Sequence, residues 1–270
     1  MHEIKINECH QILLTIASVF DAICKRHQIP YYMIGGTMLG AIRHQGFIPW
    51  DDDMDFGVER RYIPQLLKVL SEELPSHLKI RTLDNSEYIF SNFFKIEDIR
   101  TEVFDHWHNN PLGIGICIDI FPLDNGRSGY FQSRILAAYI SFLLIIKDYL
   151  HFDPLYRRGF KKRVAIVLRK INFIPIKKRL QYIENFTKRY AKADSDYLVN
   201  YYGRWRTKEL ILKKIFGTPR MYPFENITLT GVEQADAYLS SLYGNYMILP
   251  PEEKRINHNI RTQFKSVQSK

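Results

Sequence analysis

The 270-residue sequence is poor in cysteine, in acid relative to base, and in apolar runs long enough to cross a bilayer. Its three cysteines, Cys9, Cys24 and Cys117, are odd in number and far apart. That argues against a disulfide framework and fits a reducing, cytoplasmic compartment. Met1 to Lys5 shows no basic start leading into an apolar core, so no secretory signal is expected. The most apolar stretch, Ile135 to Ile146, lies between Arg134 and Lys147. It is shorter than the roughly 18 to 20 residues of a membrane span and reads as a buried helix. Repeats and low-complexity tracts are also lacking. With 38 Lys and Arg against 29 Asp and Glu, the formal charge is +9. Such a balance asks for an anionic partner: nucleic acid, an anionic membrane surface or phosphorylated small molecules.

What is present is enough apolar material, 46% of residues, to build a sizeable core. Cys9, Ile12, Leu13, Ile16, Phe20 and Ile23 recur at helical spacing and predict a helix over 7–27, N-capped by Asn7 and ended by Pro30. Tyr31 to Ile34 reads as a short buried strand stopped by Gly35-Gly36, and Thr37 to His44 as a helix opening after the glycines. A strand follows at Asp53 to Val58, then a helix at Arg61 to Glu73. Strand-like segments come next at Lys79–Leu83, Tyr88–Ile96, Arg100–Phe104 and Ile114–Phe121. From 129 to 193 the pattern is helical, broken near Phe152-Asp153-Pro154 and Phe173-Ile174-Pro175, and much of the basic excess lies between Arg157 and Arg189. The last third shows strand signals in Tyr222 to Gly231 and a helix over Glu233 to Tyr243. This order predicts an α+β protein, a mixed-sheet core with a mainly helical second region. The expected division is a core in 1–128, a helical region in 129–205, and a segment in 206–270 that completes the core and its site.

The chemistry concentrates in Pro49-Trp50-Asp51-Asp52-Asp53-Met54-Asp55. Alternate residues of a strand share a face, so Asp51, Asp53 and Asp55 point one way and Asp52 the other. Like charges that close together need a cation, and hard carboxylate oxygens favour Mg²⁺ or Mn²⁺ with positions left for substrate phosphates. An exposed acidic turn is the alternative, but Trp50, Met54 and Phe56 argue against free exposure. Gly35-Gly36, between a strand and a helix, lets the backbone approach a ligand and aims helix N-terminal amides at phosphate. Alone it is only a tight corner; before an acidic strand it suggests phosphoryl transfer. Asp119 sits inside the apolar run of Gly113 to Asp124, where a charge is costly unless it faces a polar site. It is a candidate third metal ligand or general base, or else an ion-pair partner of a nearby Arg or Lys.

The block "YYMIGGTMLGAIRHQGFIPWDDDMDFGV" from Tyr31 to Val58 closely resembles the signature of the LicD family of phosphocholine transferases, to which fukutin and its relatives are more distantly similar. The resemblance continues through "FFKIEDIRT" (Phe93–Thr101), "GIGICIDIFPLD" (Gly113–Asp124), "PFENITLTG" (Pro223–Gly231) and "LYGNYMILPPEEKR" (Leu242–Arg255). It implies a nucleotidyltransferase-like fold of the polymerase-beta type, in which a Gly-Gly turn, an Asp-x-Asp strand and a third acid on a neighbouring strand form the site. Gly35, Gly36, Asp53, Asp55 and Asp119 match those positions. Asp51 is a further candidate metal ligand, and Thr37 follows the glycines in the donor-binding turn. By the same resemblance Lys95, Asp98 and Arg100 are candidates for donor phosphate contacts, with Arg43 and His44 weaker ones. Glu225, Lys254, Arg255 and His258 belong to acceptor or C-terminal motifs. His106 and His108 are expected on the surface.

The implied reaction moves phosphocholine from CDP-choline, or the corresponding group from a similar CDP-alcohol, to a hydroxyl of a cell-surface glycan. Lipopolysaccharide, teichoic acid or a lipid-linked precursor are the expected acceptors. Asp53 and Asp55 would hold Mg²⁺, and Asp119 would take the hydroxyl proton. Phosphoethanolamine, ribitol-, glycerol- or sugar-phosphate transfer, or AMP transfer from ATP, would use the same parts. A nucleic-acid-binding module is disfavoured, because clustered aspartates repel phosphate. A lipid-linked acceptor would bring the basic helices against the inner face of the plasma membrane.

Overall fold

The structure, a computed structural model, describes residues 4–85, 91–105, 113–151, 159–170, 172–191, 194–255 and 260–264. These fall into two compact units, one drawn from 1–89, 93–123 and 213–270 and the other from 90–92 and 124–212.

The first unit opens with α1 (Ile6–Arg26). It begins one residue before the expected Asn7 cap, and Glu8 accepts the Lys5 N–H at 3.0 Å instead. Its apolar stripe buries Cys9, Leu13, Ile16, Phe20 and Ile23. β1 (Tyr32–Met33) and α2 (Gly35–His44) follow without a loop, so the glycines form the first turn of the helix rather than preceding it. β2 (Asp55–Glu59) starts two residues later than expected, and a 3₁₀ turn at Arg60–Tyr62 leads into α3 (Ile63–Glu73). The sheet continues with β3 (Leu78–Arg81), β4 (Phe94–Asp98) and β6 (Cys117–Asn125). β5 (Thr101–Asp105) instead pairs antiparallel with β11 (Ile260–Phe264).

After the second unit the chain returns as α7 (Lys213–Phe216), the hairpin of β9 (Arg220–Phe224) and β10 (Ile227–Gly231), and α8 (Ala235–Tyr243). The strands order as β3-β4-β6-β2-β1-β10-β9. β2 runs parallel to β6, and β1 parallel to β10; the remaining contacts in this sheet are antiparallel. The sheet is therefore mixed, as the α+β reading requires.

Register divides the sheet into an apolar and a polar face. Phe56, Ile120 and Phe94 stand in one row, and Phe20 of α1 packs on Phe56 and Tyr31 with ring centroids 5.2 and 4.9 Å away. In the adjacent row stand Asp55, Asp119 and Lys95, one residue before Phe56 and Ile120 and one after Phe94 on the antiparallel β4, and this row points to the opposite face.

The second unit is mainly helical. The last two residues of β6 pair with β7 (Tyr197–Val199), which pairs with β8 (Leu210–Leu212). Its described residues also form α4 (Tyr130–His151), α5 (Gly159–Lys170) and α6 (Ile176–Tyr190), with both α5 and α6 packed against α4. Their boundaries fall near both expected breaks. Among the described residues no helix is long and apolar enough to cross a membrane.

Candidate active site

The site is assembled where β1 ends, α2 begins, and β2 and β6 run side by side. Gly35 adopts φ +54°, a conformation that costs other residues energy. A Cβ on Gly35 would stand 3.3 Å from Asp55 Oδ2, and one on Gly36 would stand 2.9 Å from Asp51 Oδ2. The two glycines thus face two carboxylates of the acidic run, which a side chain at either position would crowd. Strand alternation does not account for the place of Asp51, since β2 begins only at Asp55 and the backbone before it is irregular. Asp52 is buried.

The acidic run is held by its backbone. Met54 O accepts the Asp119 N–H at 2.8 Å, and Asp55 O accepts the Ile34 N–H at 3.1 Å. Thr37 Oγ1 accepts the Asp55 N–H at 2.7 Å, so this buried hydroxyl fixes the acidic strand against α2. The Gly35 N–H is given to the Tyr238 hydroxyl at 3.1 Å, which anchors the glycine turn to α8.

Sequence reasoning did not anticipate two further supports from α1. His10 Nε2 lies 2.7 Å from Asp51 O, its ring stacked 4.0 Å from Phe47, and the Cys9 thiol points at Asp52 O. The sequence signal available was limited to Cys9 on the buried stripe of α1.

Buried charges of both signs meet in this cluster. The Asp55 carboxyl is held well above the ordinary carboxylate range, first by burial and then by Asp53, Asp119 and Asp51, with Lys95 acting in the other direction. Lys95 donates its ammonium to Asp119 Oδ1. Burial works against that charge, but Asp119, Cys117 and Asp55 outweigh it and raise the Lys95 pKa. The Cys117 thiol is pushed up to about 12, by burial first, so it is an unreactive neighbour. Asp119 therefore stands beside Asp55 and is the ion-pair partner of a lysine, the second of the two readings offered for it.

The other anticipated residues take supporting places. Asp98 is buried; it accepts the Arg100 N–H at 3.0 Å and Nε at 2.9 Å, closing the β4–β5 turn. That pairing with Arg100 keeps the Asp98 carboxyl below its usual value against the effect of burial. Arg43 donates to Tyr246 O at 2.8 Å and to His44 Nε2 at 3.0 Å. Glu225, at φ +53°, accepts the Phe47 N–H at 3.0 Å and gives its own N–H to Gln45 O at 2.7 Å. It straps the segment that carries α2 into the acidic run. Lys254 ends a 3₁₀ turn at Glu252–Lys254, and the Arg255 guanidinium lies 5.5 Å over the Trp50 ring, one residue from Asp51. His106, His108 and His258 lie outside the described residues.

The donor set here is all hard oxygen, which fits Mg²⁺ or Mn²⁺. Among the described residues no three such side chains converge as a finished ligand set, so an ion would need oxygens from a bound phosphate as well.

The chain is 28% identical to the lipopolysaccharide cholinephosphotransferase LicD of Haemophilus influenzae, over 98% of this chain and 99% of that protein. It is 26% identical to the ribitol 5-phosphate transferase FKRP of mouse and of human, over 33% of this chain and 18% of theirs. A family model described as the LicD/FKTN/FKRP nucleotidyltransferase domain matches residues 28–166, which contain both glycines, the whole acidic run, Lys95 and Asp119. The chain belongs to the LicD family.

Proposed function

We propose that the protein transfers phosphocholine from CDP-choline to a hydroxyl of a cell-surface glycan or its lipid-linked precursor, on the cytoplasmic side of the membrane. As a LicD-family phosphotransferase it shares its full length with a lipopolysaccharide cholinephosphotransferase. The observation that carries the reading is the approach of Asp55 and Asp51 to Gly35 and Gly36, with Asp119 in register beside Asp55 and Lys95 paired to Asp119.

Asp53 and Asp55, joined by Asp51, would hold Mg²⁺ or Mn²⁺. Such an ion would neutralise the donor diphosphate and stabilise the charge that passes to the departing CMP. The Gly35-Gly36 turn gives the diphosphate room to approach the backbone. Lys95 is placed to orient Asp119 and to offset charge on the transferring phosphoryl group. Asp119 is the group best placed to receive the proton of the attacking hydroxyl. Arg100, engaged with Asp98, shapes the turn beyond Lys95 and leaves the phosphate contact to Lys95.

The partial match to FKRP favours ribitol phosphate as the next donor group to consider. Incubation with CDP-choline, CDP-ethanolamine, CDP-ribitol, CDP-glycerol and ATP, each with and without Mg²⁺, separates the readings. Metal-dependent stabilisation and CMP release with CDP-choline are expected. Pyrophosphate release from ATP, with no response to any CDP-alcohol, would replace this proposal by nucleotidyl transfer.

A further inference from the structure

The second unit presents an apolar surface that its own fold leaves uncovered. On α4 the inward positions Leu136, Ala137, Ile140 and Leu144 are buried, as the amphipathic pattern requires. The outward positions are apolar too. Phe131, Ile135, Phe142 and Ile145 recur at helical spacing on the opposite side, and Phe131 and Phe142 are 73% and 55% exposed. One exposed Phe needs no explanation, but an apolar stripe along about four turns does.

The neighbouring helices extend the pattern and add charge. On α5, Phe160 is 78% exposed and shares a face with Arg163, Val167 and Lys170 at i, i+3, i+7 and i+10. The link before α6 exposes Phe173 at 90%, together with Ile174. On α6, Lys178, Tyr182, Asn185 and Arg189 line one exposed face. Between 159 and 190 there are ten basic side chains and one acidic one, so this segment carries a surplus as large as that of the whole chain.

Two occupants suit an exposed apolar stripe: a second protein surface or a lipid bilayer. The charge decides between them. A second copy of this chain would bring the same basic residues face to face, at a cost in like-charge repulsion. An anionic leaflet offers hydrocarbon for the phenylalanines and negative headgroups for Arg134, Arg163, Lys170 and Lys178.

We infer that the α4–α5–α6 face of the second unit is a peripheral docking surface for an anionic bilayer, with Phe131, Phe142, Phe160 and Phe173 entering the headgroup boundary. The inference does not depend on which group the enzyme transfers. It gives the protein a two-dimensional search for an acceptor that sits in the same membrane.

Co-sedimentation of the full chain with phosphatidylcholine vesicles, with and without phosphatidylglycerol, tests it. Binding is expected only when phosphatidylglycerol is present, falling as salt is raised. The double variant Phe131→Asp/Phe142→Asp should bind at least about tenfold more weakly, with an unchanged melting temperature because both side chains are exposed. Arg163→Glu/Lys170→Glu should lose binding at lower salt than the parent. No sedimentation with phosphatidylglycerol, or binding unaffected by both double variants, would overturn the inference. So would a dimer in solution that Phe131→Asp/Phe142→Asp dissociates while vesicles are ignored, since the face would then join two copies. Turnover of a water-soluble acceptor should be the same in parent and variants, which separates failure here from failure of the proposed reaction.

Discussion

Gly36 and Asp51 compete for one space: a Cβ on the glycine would lie 2.9 Å from the aspartate's Oδ2. Gly36→Ala must therefore displace a carboxylate of the acidic run. A fall in kcat of about 100-fold is expected, the usual cost of misplacing a reacting group by about an ångström. Thermal melting should change little, because Gly36 has an ordinary helical conformation. Gly35→Ala should lose activity and also about 1 kcal/mol of stability, from its positive φ. Steady-state CMP release and a melting curve on each variant check both; a Gly36→Ala enzyme at full speed would remove Asp51 from the site.

Removing charge from the cluster should strengthen the fold while stopping the reaction. Asp55→Asn keeps the backbone bonds to Ile34 and Thr37 but ends the repulsion with Asp53, Asp119 and Asp51. The variant should melt higher than the parent in metal-free buffer and turn over about 10³-fold more slowly. Chelation of divalent ions should silence the parent in the same way, with recovery on adding Mg²⁺. Turnover near normal in Asp55→Asn would end the metal assignment.

Glu225 should behave as a strap. Glu225→Ala leaves the Phe47 N–H without its carboxylate acceptor, at a cost of about 1–3 kcal/mol. Because the strap holds the approach to Asp51, kcat should fall with it. Glu225→Gln, which keeps an acceptor oxygen, should recover most of both. If the glutamine variant were as impaired as alanine, the carboxylate would have a direct part in the chemistry.

A second buried acid predicts how stability follows pH. Glu209 accepts the Trp205 N–H at 3.0 Å in a loop where Gly203 has no room for a side chain. Burial pushes its pKa from 4.5 to about 7, against the opposing effects of the Trp205 N–H, the Asn200 side chain and Arg206. Between those values the folded protein holds a proton that the unfolded chain has released. Stability should therefore fall as pH rises from about 4.5 to about 7, by at most about 3 kcal/mol, and level off above. Glu209→Gln should flatten that slope. Melting temperatures of both proteins across pH 4 to 9 would show it, and parallel curves would exclude Glu209 as the source.

The parts of the site legible in the sequence are those that depend on near neighbours. The Gly35-Gly36 turn and the crowding of Asp51, Asp53 and Asp55 are local patterns, and the helical breaks near 152 and 173 are marked by proline. What pairs with what was less legible. Asp119 could be placed beside the acidic strand only as a condition, since the register that sets it against Asp55 and Lys95 comes from the sheet. The grip of His10 on Asp51 O spans 41 residues and leaves no periodic trace. Asp98 and Arg100 stood out through their resemblance to a family motif, and that they bond to one another within a four-residue turn is seen only in the fold. The short strands β7, β8 and β11 carry too few residues for alternation to show.

The Tyr238 hydroxyl that receives the Gly35 N–H, like the pairing of β10 with β1, has a consequence in time. A ribosome making this chain completes the acidic run early, but the glycine turn has no anchor until about two hundred more residues have emerged. Catalytic competence is therefore among the last properties the chain acquires. A nascent or prematurely terminated copy would carry the aspartates without the geometry to act on a nucleotide-activated donor.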